Sequence, residues 1–335
     1  MTRKKRREIP RFRCPIIETH CHLDYLDADS LADELGAARD SGVHRIVTIA
    51  VSPDNLATVR SIAAANRDVF CTQGIHPHEA ESYTEAVEAE IRRFATAGIA
   101  AGATQAAAIR DDRIAATGSP VGNLAESGGE SGGESGAESG LEIGAHDAAA
   151  DNKIVAIGEI GLDYYYDHAD RSVQRKVFAR QLAIAADAGL PVVIHTRDAD
   201  DDTRSILAEY APSLARRGVI HSFSSGLALA EFALDAGFDL GFNGMVTFRN
   251  ADNVRAAVEL APVEQILLET DAPYLTPVPY RGQSNGPRYL PFIAEKVAEV
   301  KAMEVEALLA QCISNSERLF FPHLAPVDRE GAQAA

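Results

Sequence analysis

Short runs rich in valine, isoleucine and leucine punctuate the chain at residues 16–20, 43–51, 69–75, 153–159, 190–195, 218–223, 238–242 and 265–271. Most are bounded by glycine, proline, aspartate or serine, the pattern of buried strands between turns. Between them the apolar positions recur at helical spacing. The spacing predicts helices from Ser30, read as an N-cap, to about residue 42, from Pro53 to about Arg67, and over 84–97. Beyond residue 153 it predicts helices over 171–188, 202–210, 228–236 and 252–260, with Gly189 and Gly237 as stops, and two more within 287–320.

Strands and helices in strict alternation predict a parallel α/β protein, and eight strands predict closure into a (β/α)8 TIM barrel. An open doubly wound sheet would place a glycine-rich phosphate turn after an early strand. No G-x-G-x-x-G or G-x-x-x-x-G-K-[ST] stands there. The alternation fails over 98–152, where Ala, Gly, Ser and Glu dominate and the tetrad Glu-Ser-Gly-Gly recurs from Glu126 onward. Such a stretch buries too little apolar surface to offset its ordering entropy, so it reads as a flexible low-complexity insertion. The expected organisation is a disordered basic arm at 1–15, one barrel domain over 16–97 and 153–322, the insertion between its halves, and a tail at 323–335.

Composition narrows the class. No apolar run approaches the roughly 18 residues of a membrane span, so no membrane association is expected. Arg3, Lys4, Lys5, Arg6 and Arg7 are followed by no apolar stretch, which argues against a secretory signal. Cys14, Cys21, Cys71 and Cys312 form no C-x-x-C pair, so neither a disulfide framework nor a zinc ribbon is expected, and a reducing cytoplasm is. The formal net charge is −17. An acidic, lysine-poor surface suits high salt and repels nucleic acid at long range, a difficulty that any nuclease reading must answer. High salt itself screens much of that repulsion.

The strand ends carry the candidate chemistry. His20-Cys21-His22 follows the first strand, Glu159 the fourth, His195 the fifth, His221 the sixth and Asp271 the eighth. In a barrel these ends converge on one mouth. Side chains at i and i+2 of an extended segment point the same way, so His20 and His22 can reach one ion. Imidazole with carboxylate suits Zn, Fe, Mn or Ni. A lone histidine is usually a surface or satisfied core residue, and a lone strand-end aspartate is often a helix cap. Four histidines and two carboxylates, all at C-terminal strand ends, are hard to produce by coincidence.

The stretches Glu18-Thr-His-Cys-His-Leu-Asp24, Gly74-Ile-His-Pro-His78, Gly158-Glu-Ile-Gly-Leu-Asp-Tyr-Tyr165, Val193-Ile-His-Thr-Arg-Asp-Ala199, His221-Ser-Phe-Ser and Leu268-Glu-Thr-Asp-Ala-Pro-Tyr-Leu-Thr-Pro277 resemble the TatD family of metal-dependent hydrolases. Tyr280-Arg-Gly-Gln-Ser-Asn-Gly-Pro287 continues the last of them. The resemblance implies two divalent ions, with Mg, Mn and Zn as candidates. His20, His22 and Asp271 would hold one, His195 and His221 the other, and Glu159 would bridge both. It further implies Asp271 as general base, His76 as phosphate contact or leaving-group acid, and substrate contacts at His78, Arg281 and Asn285. The activity it implies is phosphodiester hydrolysis, as a DNase or 3′–5′ exonuclease on single-stranded DNA. Glu18 in place of the family's aspartate and Ser222 in place of its cysteine depart from the pattern next to ligands. Two alternatives stay open: the same site acting on another bond (an aminoacyl-tRNA ester, a small amide or phosphoester), and a non-catalytic protein recruiting partners through its acidic insertion.

Overall fold

The computed structural model describes residues 6–96 and 153–327. The expected insertion at 98–152, the basic residues before Arg6 and the end of the tail lie outside the described residues. The first half runs β1 (Ile16–Cys21), α1 (Ala28–Asp40), β2 (Val43–Thr48), α2 (Leu56–Ala65), β3 (Val69–Gln73) and α3 (residues 85–96). The second runs β4 (Ile154–Asp163), α4 (Arg171–Ala188), β5 (Val192–Arg197), α5 (Asp200–Tyr210), β6 (Gly218–Ile220), α6 (Leu227–Asp235), β7 (Asp239–Phe242), α7 (Asp252–Leu260), β8 (Ile266–Leu268), α8 (Leu290–Val300) and α9 (Val305–Phe320).

The sheet order is β1 through β8 in sequence, every neighbouring pair parallel. Just past β8 the chain returns to β1. Asp271 N donates to His20 O at 2.9 Å, His22 N donates to Ala272 O at 2.8 Å, and Cys21 bridges Ala272 in parallel. This is the predicted eight-stranded barrel.

Alternation along the strands decides what enters the barrel. Ile17, Val47, Phe70, Val155, Val193, Val219 and Leu267 form an apolar layer with Phe320 and Phe321 at the end of α9, which plugs the floor. The next residues, Ile194, Ile220 and Leu268, belong to the outer layer packed against the helices. One step further, His195, His221 and Glu269 return to the inside at the mouth. The ladders carry four register shifts, one at Ile16/Ile17, one between β3 and β4, and two that set the side chains of the mouth. Between β1 and β2 the register passes from Glu18↔Ile46 to Cys21↔Thr48, and between β4 and β5 from Ile157↔Val192 to Ile160↔Ile194. Each is one extra residue on the first strand, a bulge. The bulges fall at His20 and at Glu159.

Several boundaries differ from expectation. β4 does not end at Glu159 but runs to Asp163. Its continuation depends on Gly161, at φ 140°, where any Cβ would collide with the His195 carbonyl of β5. α1 is capped by Asp27, whose carboxylate accepts from Ser30 N at 2.8 Å, so Ser30 lies inside the helix. Residues 6–15, expected as part of a disordered arm, lie along α8 and α9. Arg7 forms a bidentate pair with Glu295 at 2.6 Å, and Glu306 accepts from the backbone of Arg13 and Cys14 at 2.9 Å each. The acidic helices offer this segment partners that a strand-and-helix reading does not consider.

Candidate metal centre

Glu159 is 3% exposed at the centre of the mouth, and imidazoles surround it. Its Oε1 lies 2.8 Å from His221 Nε2, 3.0 Å from His195 Nδ1 and 3.4 Å from His76 Nε2. Its Oε2 lies 3.4 Å from His20 Nε2. Asp271 Oδ1 stands 3.5 Å from His22 Nε2 and 3.7 Å from His20 Nε2. Burial pushes the Glu159 carboxyl up, but His221, His76, His195 and His20 outweigh it and hold it well below the usual carboxylate range. Burial likewise opposes charge on His221, and Glu159 overcomes it, raising this imidazole well above its ordinary value. The structure thus brings together His20, His22, Glu159, His195, His221 and Asp271, as the strand ends suggest.

The donor set fits metal. His20 is fully buried, yet neither of its ring nitrogens has a hydrogen-bond partner, nor do Nδ1 of His22 and of His221. Orphaned buried polar atoms are costly, and an ion beside Glu159 satisfies His20 Nε2, which faces that carboxylate. Among the described residues three groups present atoms close enough to share an ion: His20, His22 and Glu159; His20, His221 and Glu269; and His76, Glu159 and His195. The third is the weakest on tautomer grounds. His78 N donates to His76 Nδ1 at 3.2 Å, so a neutral His76 carries its proton on Nε2 and turns a donor, not a lone pair, toward Glu159. Burial lowers the His76 pKa to about 4, which keeps the ring neutral.

Asp163 is the residue that sequence reasoning passed over. Its Oδ2 accepts from His195 Nε2 and His78 Nε2, both at 3.0 Å, and its Oδ1 accepts from Tyr165 N and Tyr166 N at 3.0 Å. The bond to His195 fixes the proton on Nε2 and leaves Nδ1 as the lone pair aimed at Glu159. Burial raises the Asp163 carboxyl, and the two imidazoles more than reverse it, holding it ionised far below its ordinary value. Such outer partners are worth 10–100-fold in metal affinity. Asp163→Asn is therefore expected to weaken metal binding by about 10–100-fold in a chelator competition, with wild-type affinity in the variant refuting the role. The only sequence signal was its place two residues after Gly161 in the matched stretch. Glu269, fully buried, was passed over too. Its Oε1 accepts from Ser222 N at 2.5 Å and lies 3.7 Å from His221 Nδ1.

The expected substrate residues divide. His76 faces the centre, whereas the Nε2 of His78 is taken by Asp163. Asn285 is buried and braces its loop, its Nδ2 donating to Thr270 O and Tyr274 O and its Oδ1 accepting from Gly286 N. Every polar atom of its side chain is thus engaged within the protein, in contrast to the expected substrate contact. Arg281 is exposed, with its guanidinium 4.0 Å over the Phe248 ring. Of the three tyrosines after β4, Tyr164 packs, donating to Asp202 at 2.5 Å, while Tyr165 and Tyr166 are exposed beneath the Arg197 guanidinium. Cys21 is a buried filler, its thiol pushed well up by burial. A recess of about 680 Å³ opens between the loops after β5 and β6, lined by Arg197, Asp198, Asp201 and Ser225 among others.

Comparison with known proteins agrees with this geometry. The family described as TatD related DNase matches residues 17–110 and 137–321. The uncharacterized metal-dependent hydrolase TatD of Mycobacterium tuberculosis is 32% identical over 91% of this chain and 97% of its own. The uncharacterized metal-dependent hydrolase YcfH of Escherichia coli is 32% identical over 91% and 95%. Among solved structures, the TatD homologue YjjV of Escherichia coli is similar with a TM-score of 0.71 at 25% identity, covering 92% of this chain and 99% of that one.

Proposed function

This chain belongs to the TatD related DNase family of metal-dependent hydrolases, and from that premise we propose that it hydrolyses phosphodiester bonds, as a 3′–5′ exonuclease on single-stranded DNA with two divalent ions. The observation that carries the two-ion reading is the division of Glu159. One oxygen faces His20, which shares Asp271 with His22; the other faces His195 and His221. A carboxylate whose two oxygens address different imidazoles is placed to bridge. In this reading His20, His22 and Asp271 hold one ion, His195 and His221 the other. Two divalent ions held there would supply an acidified water and charge stabilisation for the displacement.

The chain's own residues do the rest. Asp271 takes the proton of the attacking water. His76, neutral, offers its Nε2–H as a hydrogen bond to a phosphoryl oxygen as negative charge grows there, and the leaving 3′-oxygen takes its proton from solvent. Arg281, on the exposed side of the loop after β8, suits a phosphate of the bound strand geometrically. Asp163 holds His195 in place through the 3.0 Å bond to its Nε2, and the Glu269 carboxylate faces the Nδ1 side of His221 at 3.7 Å. The test is release of nucleotides from a 3′-labelled single strand with Mg²⁺ or Mn²⁺, run beside hydrolysis of a charged tRNA. Stepwise shortening of the labelled strand alone is the expected result. Turnover of the aminoacyl ester without turnover of DNA would overturn the nuclease reading and keep the hydrolase.

A further inference from the structure

Among the described residues the exposed aromatic side chains are Tyr25, Tyr165, Tyr166 and Tyr274, all in loops at the mouth. They form two groups on opposite sides of it, because the β8–β1 and β4–β5 junctions of an eight-stranded barrel face each other. At β4–β5 the Arg197 guanidinium lies 4.1 Å and 4.7 Å from the centroids of Tyr165 and Tyr166, so ring faces there are covered. At β8–β1 no such cover exists among the described residues. Tyr25 and Tyr274 are 53% and 54% exposed, with centroids 6.2 Å apart and planes at 74°. Together they make an open corner. That corner adjoins the reacting centre: the His22 ring is 5.5 Å from Tyr25 and 6.3 Å from Tyr274.

The corner is also braced. Tyr274 N donates to Asp271 O at 2.9 Å, and Asn285 Nδ2 donates to Tyr274 O at 2.6 Å. Tyr25 N donates to His22 O at 3.5 Å. Each tyrosine is therefore tied by its backbone to a residue of the centre itself, and the buried Asn285 braces one of them.

We propose that Tyr25 and Tyr274 form a stacking subsite for the nucleobase adjoining the scissile phosphodiester, one ring meeting its face and the other its edge. The proposal rests on the phosphodiester reading above. A flat, weakly polar, exposed pair beside a phosphoester centre matches a base, and stacking is indifferent to base identity. It also answers the charge difficulty. A protein of net charge −17 gains little from long-range attraction of a polyanion, whereas stacking holds the strand without cations.

The experiment compares wild type, Tyr25→Ala, Tyr274→Ala and the two Phe variants, all metal-loaded. The substrates are a single-stranded oligonucleotide and the same strand with an abasic site next to the cleaved bond. Each Ala variant is expected to lose about tenfold in kcat/KM on the normal strand, mainly through KM, while Phe retains activity. On the abasic strand wild type should already show the loss, and the Ala variants no further one. Ala variants that match wild type on the normal strand, or that lose equally on both strands, overturn the subsite while leaving the nuclease reading intact. If wild type cleaves neither strand, the phosphodiester reading falls and the subsite falls with it.

Discussion

Glu159→Gln is expected to reduce bound metal from two ions per chain to one or none, and turnover by at least about 10³-fold. The carboxylate is placed against both halves of the centre, with His20 on one oxygen and His195 and His221 on the other. Glutamine keeps the shape but loses the charge that offsets two cations, and its NH2 end turns a donor toward nitrogens that should offer lone pairs. Metal per chain, measured by elemental analysis of wild type and variant prepared alike, reads the effect directly. A variant that retains two ions and wild-type turnover removes the bridge from the mechanism. Because ions bound only to the folded chain stabilise it, the variant should also gain less thermal stability than wild type on metal addition.

Asp271→Asn tests the proton acceptor. Asp271 sits at φ 57°, in the left-handed region that asparagine tolerates better than most residues. Its backbone N–H closes the barrel onto His20 O, a bond that asparagine also makes. The fold should therefore survive, with a melting temperature close to wild type, while the carboxylate that takes the proton is gone. A loss of about 10²–10⁴-fold in kcat with a smaller change in KM is expected. Turnover within a few-fold of wild type would place the base elsewhere. The two variants separate by metal content: Glu159→Gln loses the bridge between the ions, whereas Asp271→Asn removes a ligand of one.

The barrel was legible because its evidence is local. Valine- and isoleucine-rich runs, helical spacing and stops such as Gly189, which takes the left-handed C-cap of α4, are properties of neighbouring residues. The ligand residues were legible for the same reason: each follows a recognisable apolar run. Roles that depend on distant partners were not. Asp163 lies 32 residues from His195 and 85 from His78, and its carboxylate draws meaning only from both. Tyr25 and Tyr274 meet only because the barrel closes between β8 and β1. Asn285 looked like a substrate residue while its loop was unknown, and the loop engages its whole amide.

The sequence by itself determined that eight parallel strands bring four histidines and two carboxylates to one mouth. Which way those side chains point was decided in the tertiary structure. Counting strictly by twos from the floor residue Ile17, β1 would turn Thr19 and Cys21 inward and His20 out. The extra residue against β2 reverses that, placing His20 inside and Cys21 in the outer layer. In β4, Ile157 and Ile160 both pack outward although three residues apart, and Glu159 turns into the mouth between them. A bulge is a property of two strands in register, not of either alone. The identity of Glu159 is thus written in the chain, and its aim is set by the neighbouring strand.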